Sequence, residues 1–271
     1  MTERLTTLAA VKDWLDIETD TSDTGLVRLI NSASQFILNY LNRDSFQRRT
    51  YTQNFKGNGK DTMLLRNWPI LSVASVGTMG RLITASTLGV GGLPSSGYTI
   101  SDPRTAPQSI NLYGYGFVLG APSQIVYDAG FEATDTSTLV AATVPTDPIV
   151  YTPGATGPGQ WTEDLGVTLD GVVAVKVDSS PDSGEYSVDE WGIYTFNDTD
   201  ADSIAVISYS YVPWVVSQAA IELIGGVYRR ADRIGVLSKT LGGQETITYS
   251  NTDFTQDIRN NLQIYMNVVP M

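Results

Sequence analysis

A chain of 271 residues is long enough for one large core or two modest ones. It contains no cysteine and no histidine, which excludes disulfides and thiol chemistry and removes the commonest general base and metal ligand. The net charge of −12 is unevenly placed: residues 132–212 hold 14 acidic side chains against Lys176 alone, so that stretch carries −13 and the remainder +1. Such asymmetry points to separately built parts. The N-terminus lacks a basic region followed by an apolar run, and no stretch approaches the ~18 apolar residues of a membrane span. The expectation is a soluble protein of the cytoplasm in which it is made, with no membrane partner.

Thr6 or Thr7 is a suitable N-cap for a short helix whose buried stripe is Leu8, Val11, Trp14 and Leu15. A polar link, Glu18 to Asp23, leads to a stronger helix in which Leu26, Leu29, Ile30, Ala33, Phe36, Ile37, Tyr40 and Leu41 keep the 3.6-residue period. From Phe46 the period changes. Arg49 to Phe55 alternates, Gly57-Asn58-Gly59 is a turn and Thr62 to Leu65 pairs back, a hairpin pattern that Trp68-Pro69-Ile70 closes. Further strands are expected at Val73–Val76, Ile110–Phe117 and Ser123–Tyr127, with a Gly/Ser/Pro-rich loop at residues 86–97. Thr134 to Gly159 reads as a linker. Five short strands then follow, at 166–169, 172–177, 184–188, 192–196 and 203–211.

Next, Val212 to Arg233 predicts a long helix. Pro213 sits in its first turn, Val216, Ala219, Ala220, Leu223, Ile224 and Val227 form one apolar face, and Arg229, Arg230 and Arg233 crowd its last turn. Gly225-Gly226 in its interior implies that another backbone comes close. Leu241-Gly242-Gly243 breaks the chain, Glu245 to Tyr249 is a short strand or arm, and Asp253 is placed to cap a final helix through Ile258, Leu262 and Tyr265. The expected fold is therefore α+β. A helical domain of an N-terminal helix pair and a long central helix, with a β-sheet, occupies 1–131 and 212–271. A small acidic all-β sandwich is inserted at 132–211.

No constellation here supports catalysis, and neither a cofactor nor a metal is expected. Asp198-Thr199-Asp200-Ala201-Asp202 has the alternating oxygens of a calcium loop, but Ser203 replaces its glycine and Tyr209 its bidentate Glu, so a solvated turn fits better. The carboxylates Asp178, Asp182, Glu185, Asp189 and Glu190 offer no spacing that selects a glycosidase pair. Gly114-Tyr115-Gly116 lies in a strand pattern and reads as glycines beside aromatic rings. Trp161, Trp191 and Tyr194 could form a sugar-stacking platform or the core of the small β module. The arginine clusters Arg43/Arg48/Arg49 and Arg229/Arg230/Arg233 supply no concentrated positive field for nucleic acid; helix-end charges and intersubunit ion pairs suit them better.

Leu5 to Leu15, Leu26 to Ser34, Tyr40-Leu41-Asn42-Arg43 and Trp68 to Val73, followed by Tyr127 to Phe131, Pro213 to Arg230 and a terminal arm and helix, form an ordered set. It resembles the head–tail connector (adaptor) proteins of tailed double-stranded DNA bacteriophages. Trp161 to Val167, Gly184 to Val188, Gly192 to Phe196 and Ile207 to Tyr211 are similar to a β module carried by several phage virion proteins. The resemblance implies a virion neck protein, made in the host bacterial cytoplasm. It would form a homo-oligomeric ring, typically of twelve copies, beneath the portal. That ring extends the DNA channel without sequence-specific binding and offers a docking surface to a neck or tail-completion protein. It further implies that residues 241–271 engage the portal, with Thr246, Ile247, Tyr249, Phe254, Ile258, Leu262 and Tyr265 as contact candidates. Arg43, Arg229, Arg230 and Arg233 are candidates for the ring interface. The competing readings are another neck or tail-completion protein, and a virion-surface carbohydrate-binding β module. Twelve acidic inserts would repel one another and DNA inside a lumen, so the insert is expected to point outward.

Overall fold

The computed structural model describes residues 3–87, 94–102, 107–142, 147–153, 157–231, 238–241, 245–248 and 254–267. They form two compact units, one of residues 1–41, 156–160 and 212–266, the other of 42–155, 161–211 and 267–271.

The first unit is helical. Helix α1 (Leu8–Leu15) is capped by Thr7, whose hydroxyl accepts from the Ala10 N–H at 3.2 Å. Helix α2 (Asp23–Tyr40) buries Leu26, Ile30, Ala33 and Ile37 of its expected stripe and Leu38 beside it, whereas Phe36, expected in the same stripe, is exposed. Helix α3 (Trp214–Ala231) packs on both, with Val216, Ala219, Ala220, Leu223 and Ile224 buried. Helix α4 (Gln256–Gln263) completes the unit against α3, capped by the Thr255 hydroxyl. Asp253, expected as that cap, lies outside the described residues. Trp14 is exposed rather than buried, yet it explains the helical glycine: a Cβ on Gly225 would stand 3.3 Å from Trp14 Nε1. A side chain, not a second backbone, is what the glycine admits.

The second unit holds two β modules. In the first, β1 (Arg49–Lys56), β3 (Ile70–Thr78), β4 (Arg81–Ile83) and β7 (Pro122–Ala129) form a sheet in the order β1-β7-β3-β4. A second sheet is ordered β2-β6-β5, from β2 (Thr62–Leu64), β5 (Gly97–Ile100) and β6 (Ser109–Tyr113). Both sheets feed one core that includes Met63, Val76, Ile110, Phe117, Ile125 and Tyr127. The hairpin expected between β1 and residues 62–65 does not form, because β1 pairs with β7 and β2 with β6. The Gly57–Gly59 turn instead locks onto residues 117–121. The Gly57 N–H reaches the Ala121 carbonyl at 2.8 Å, and a Cβ there would lie 2.1 Å from the Val118 carbonyl oxygen. Only glycine tolerates that approach. Of the loop expected at 86–97, residues 88–93 lie outside the described residues.

The other module has a sheet β11-β10-β15-β8, from β8 (Glu132–Thr138), β10 (Gly159–Leu169), β11 (Val172–Val173) and β15 (Ile204–Pro213). Facing it is a sheet β12-β13-β14-β9, from β9 (Ile149–Tyr151), β12 (Val175–Lys176), β13 (Glu185–Val188) and β14 (Tyr194–Phe196). Leu139, Ile149, Val167, Tyr186, Tyr194, Phe196, Ile207 and Tyr209 form their shared core. The stretch read as a linker therefore supplies β8, β9 and the start of β10. Glu132 to Thr138 is polar on both faces, so alternation of apolar residues did not reveal it.

These findings correct the expected helical connector fold. The described residues contain seventeen strands against four α-helices, and the protein is mainly β. Nor is α3 the centre of assembly: it is as long as α2, and neither β core includes one of its residues. Each pair of sheets buries its own apolar faces and needs no helix to cover it.

Candidate functional site

The resemblance implies that residues 241–271 engage the portal, with Ile258 and Leu262 among the contact candidates. Helix α4 turns these two inward: Ile258 is 3% and Leu262 0% exposed. Just before its cap, Phe254 stacks edge-on against Phe36 at 5.1 Å and Tyr40 at 4.8 Å, with the Arg259 guanidinium over its ring at 5.3 Å. Amphipathic spacing predicts which α4 residues are buried but not in which partner, and here the partner is the chain's own helices. Beside them a groove of about 270 Å³ opens between α3 and α4, lined by Trp214, Val215, Ala219, Glu222 and Ile258 among others. Tyr265 is half-buried just beyond α4.

Thr246 and Ile247 lie in β17 (Glu245–Thr248), which pairs antiparallel with β16 (Ser238–Leu241) so that Thr246 faces Thr240 and Ile247 faces Lys239. The arm thus has a partner strand in its own chain. It is a two-stranded ribbon, the least self-sufficient form of sheet. Tyr249 and the expected break at Gly242-Gly243 lie outside the described residues, as does Arg233. Arg229 is exposed and Arg230 half-buried in the last turn of α3.

Arg43 is placed differently from the other ring-interface candidates. It is only 4% exposed, donates from Nη1 to the Trp68 carbonyl at 2.7 Å, and its guanidinium lies 4.4, 5.2 and 5.4 Å from the Trp68, Phe46 and Phe131 rings. Phe131 also meets Tyr211 at 5.7 Å. Desolvated cation–π contacts of this kind are stabilising by about 2 kcal/mol. The cage sits where the two β modules join. Nearby, Arg48 spans the same junction through Asp128 and Glu132, both at 3.1 Å.

In the acidic module the aromatic trio divides. Tyr194 is fully buried, Trp161 is half-buried and donates to the Tyr194 hydroxyl at 3.3 Å, and only Trp191 is largely exposed. A stacking platform needs neighbouring free ring faces, and these three do not present them. Gly192 fits under Trp161: with φ +81, a Cβ there would lie 2.5 Å from the indole. Asp164, whose side chain is 5% exposed, accepts from the hydroxyls of Tyr186 and Tyr194, both at 2.9 Å, and from Lys176 at 3.1 Å. Burial, and beyond it the Asp164 carboxylate, pushes both phenols above their ordinary range. Asp200 likewise serves the fold, accepting from the Ser183 hydroxyl at 2.9 Å and the Gly184 N–H at 3.1 Å. The described residues contain no group of three or more side chains suited to hold a metal ion. No described helix is long and apolar enough to cross a membrane.

Residues 4–113, which carry α1, α2 and β1 to β6, match the family described as head completion protein. That similarity supports a structural part in a phage virion at the head–tail junction, among portal or tail components, rather than a catalytic one. No curated protein matches the chain.

Proposed function

We propose that this protein is a ring-forming component of the phage neck, seated between portal and tail, which extends the DNA channel and receives the next neck or tail protein. The observation that carries the reading is the head completion match over residues 4–113. In the same reading, residues 132–211 are an inserted module, supported by a core drawn entirely from that stretch. Its charge of −13 suits an outward, solvated position.

Portal docking then falls to the ribbon of β16 and β17 rather than to α4, whose Ile258 and Leu262 already stabilise the helical unit. A two-stranded ribbon gains most from adding to another sheet, by main-chain hydrogen bonds. Arg229 and Arg230, in the last turn of α3, are the candidates for the interface between copies.

Cryo-electron microscopy of particles tests the ring: density for symmetric copies between portal and tail, with small β lobes outside, is the expected result. Lobes lining the channel would refute the outward insert. For the ribbon, exchange of residues 238–248 for a Gly-Ser linker of equal length should abolish co-sedimentation with purified portal. Undiminished co-sedimentation would sink it.

A further inference from the structure

Each β module ends in an exposed apolar tip, on the side away from Gly130 and Phe131, where the modules join. In the first, β7 runs from that junction at Ala129 to Pro122, about 23 Å away at strand rise. There the β3–β4 turn and the 117–121 turn expose Leu119 (77%), Leu82 (68%), Met79 (63%) and Val118 (48%). These turns are neighbours: Lys56 is paired with Pro122, and the Met79 N–H donates to the Pro122 carbonyl at 3.1 Å. Exposed Lys56, Lys60 and Arg81 surround them, against Asp61 alone.

In the acidic module, β8 leaves the junction at Glu132 and reaches Thr138 about 20 Å on. At that end Val140 (78%), Val172 (70%) and Ile204 (49%) are exposed. Backbone bonds hold them together, since Asp170 donates its N–H to the Ile204 carbonyl and Leu139 donates to Ser203, both at 2.9 Å. Asp170 and Asp202 are exposed beside them.

We infer that the basic apolar tip of one copy docks on the acidic aliphatic tip of a second copy. Apolar side chains this exposed are usual at interaction surfaces when grouped. The charges select the pairing, because basic-to-basic and acidic-to-acidic contacts are both repulsive. The junction-to-tip lengths keep each tip remote from the start of the other module. Such a contact is heterologous, joining two different surfaces, which is the type that builds rings and open filaments. It goes beyond the neck reading and does not depend on it.

Because the chain has no cysteine, single introduced thiols report contacts cleanly. Leu119→Cys and Ile204→Cys chains, both changed at exposed positions, are mixed at high concentration, oxidised mildly with diamide and analysed by intact mass. The expected result is a Leu119→Cys/Ile204→Cys heterodimer several-fold above either homodimer. Adding Lys56→Glu and Lys60→Glu to the Leu119→Cys chain should lower its yield about threefold or more, the scale of two exposed ion pairs. Homodimers as abundant as the heterodimer, or no cross-link at all, would overturn the proposal, as would a yield indifferent to charge reversal. The last outcomes are also those expected if another protein or nucleic acid covers the basic tip. A particle lacking a neck ring would undo the neck reading and leave this result standing.

Discussion

Tyr127 in the first β module and Tyr194 in the acidic one are both fully buried, but their hydroxyls meet different chemistry. Tyr127 accepts from the Asn67 N–H at 3.2 Å and donates to the Gln53 side-chain oxygen at 3.4 Å, so its partners are neutral. Tyr194 shares the Asp164 carboxylate with Tyr186 and Lys176. Tyr151 makes a similar bond to Asp135 at 2.7 Å. Part of the acidic module's charge is therefore not surface decoration. Asp164, Asp135 and Asp200 are the internal acceptors that let a small core contain several phenols and tight turns. A carboxylate accepts more strongly than an amide, and its loss leaves more behind.

The sharpest way to break this comparison is at the acceptors. Asp164→Leu strands two buried hydroxyls and should cost about 3 kcal/mol. Gln53→Ala, which leaves Tyr127 its Asn67 bond, should cost about 1 kcal/mol. Urea unfolding followed by near-ultraviolet circular dichroism measures both, and equal costs would erase the distinction.

Next in size is the response to pH, where Tyr151 in the acidic module and Asp128 in the first are shifted in opposite directions. Burial, then the bond to Asp135, pushes Tyr151 up to about 12, against an ordinary phenol value of 10.0. A raised phenol contributes stability that is complete below pH 10 and is lost as pH rises through about 12. Phenolate absorbance should accordingly rise in two steps, the later one coinciding with loss of the acidic module's structure. In the first module, the Thr50 hydroxyl first, and Arg48 and Ser72 with it, hold the Asp128 carboxyl below its ordinary value of 3.8. Its contribution is present above that value and fades as pH falls through the depressed one. Acid should therefore loosen β7, which hydrogen exchange at its individual amides would show.

The smallest effect is expected between the modules. Arg48 bridges them through Asp128 and Glu132, but its side chain is 39% exposed and solvent screens both pairs. Arg48→Ala should cost about 0.5–1 kcal/mol, diminishing with added salt. A loss of several kcal/mol would mean that the junction, not the two cores, sets the stability of this unit.

What the sequence made legible follows from where its periodicity is strong. The α2 positions Leu26, Ile30, Ala33 and Ile37 and the strand pattern around Tyr194 and Ile207 are written in apolar spacing, and the structure keeps both. Strand pairing is not local information. Nothing between Arg49 and Leu65 announces that β1 will join Pro122–Ala129 while β2 joins Ser109–Tyr113. Strand β8 was hidden because Thr and Ser alternate there without an apolar face. Among the candidate site residues, Ile258 and Leu262 were recognisable as buried but not as buried in their own chain. Arg43 looked like a surface cation until Phe46, Trp68 and Phe131, distant from one another in sequence, closed around it. The exposed tips carried no signal of their own, since Leu82, Leu119 and Val172 are unremarkable one by one.

The clamp between the Gly57–Gly59 turn and residues 117–121 has a further consequence for molecular recognition. Gly57 to Ala121, Gly59 to Phe117, Phe117 to Lys60 and Gly120 to Gly57 are all backbone N–H to carbonyl bonds of 2.8–2.9 Å. They fix the main chain beneath Leu119 and Val118 before any partner arrives. A tip prepared in this way gives up little chain entropy on docking, so even a small contact area can retain most of its favourable free energy.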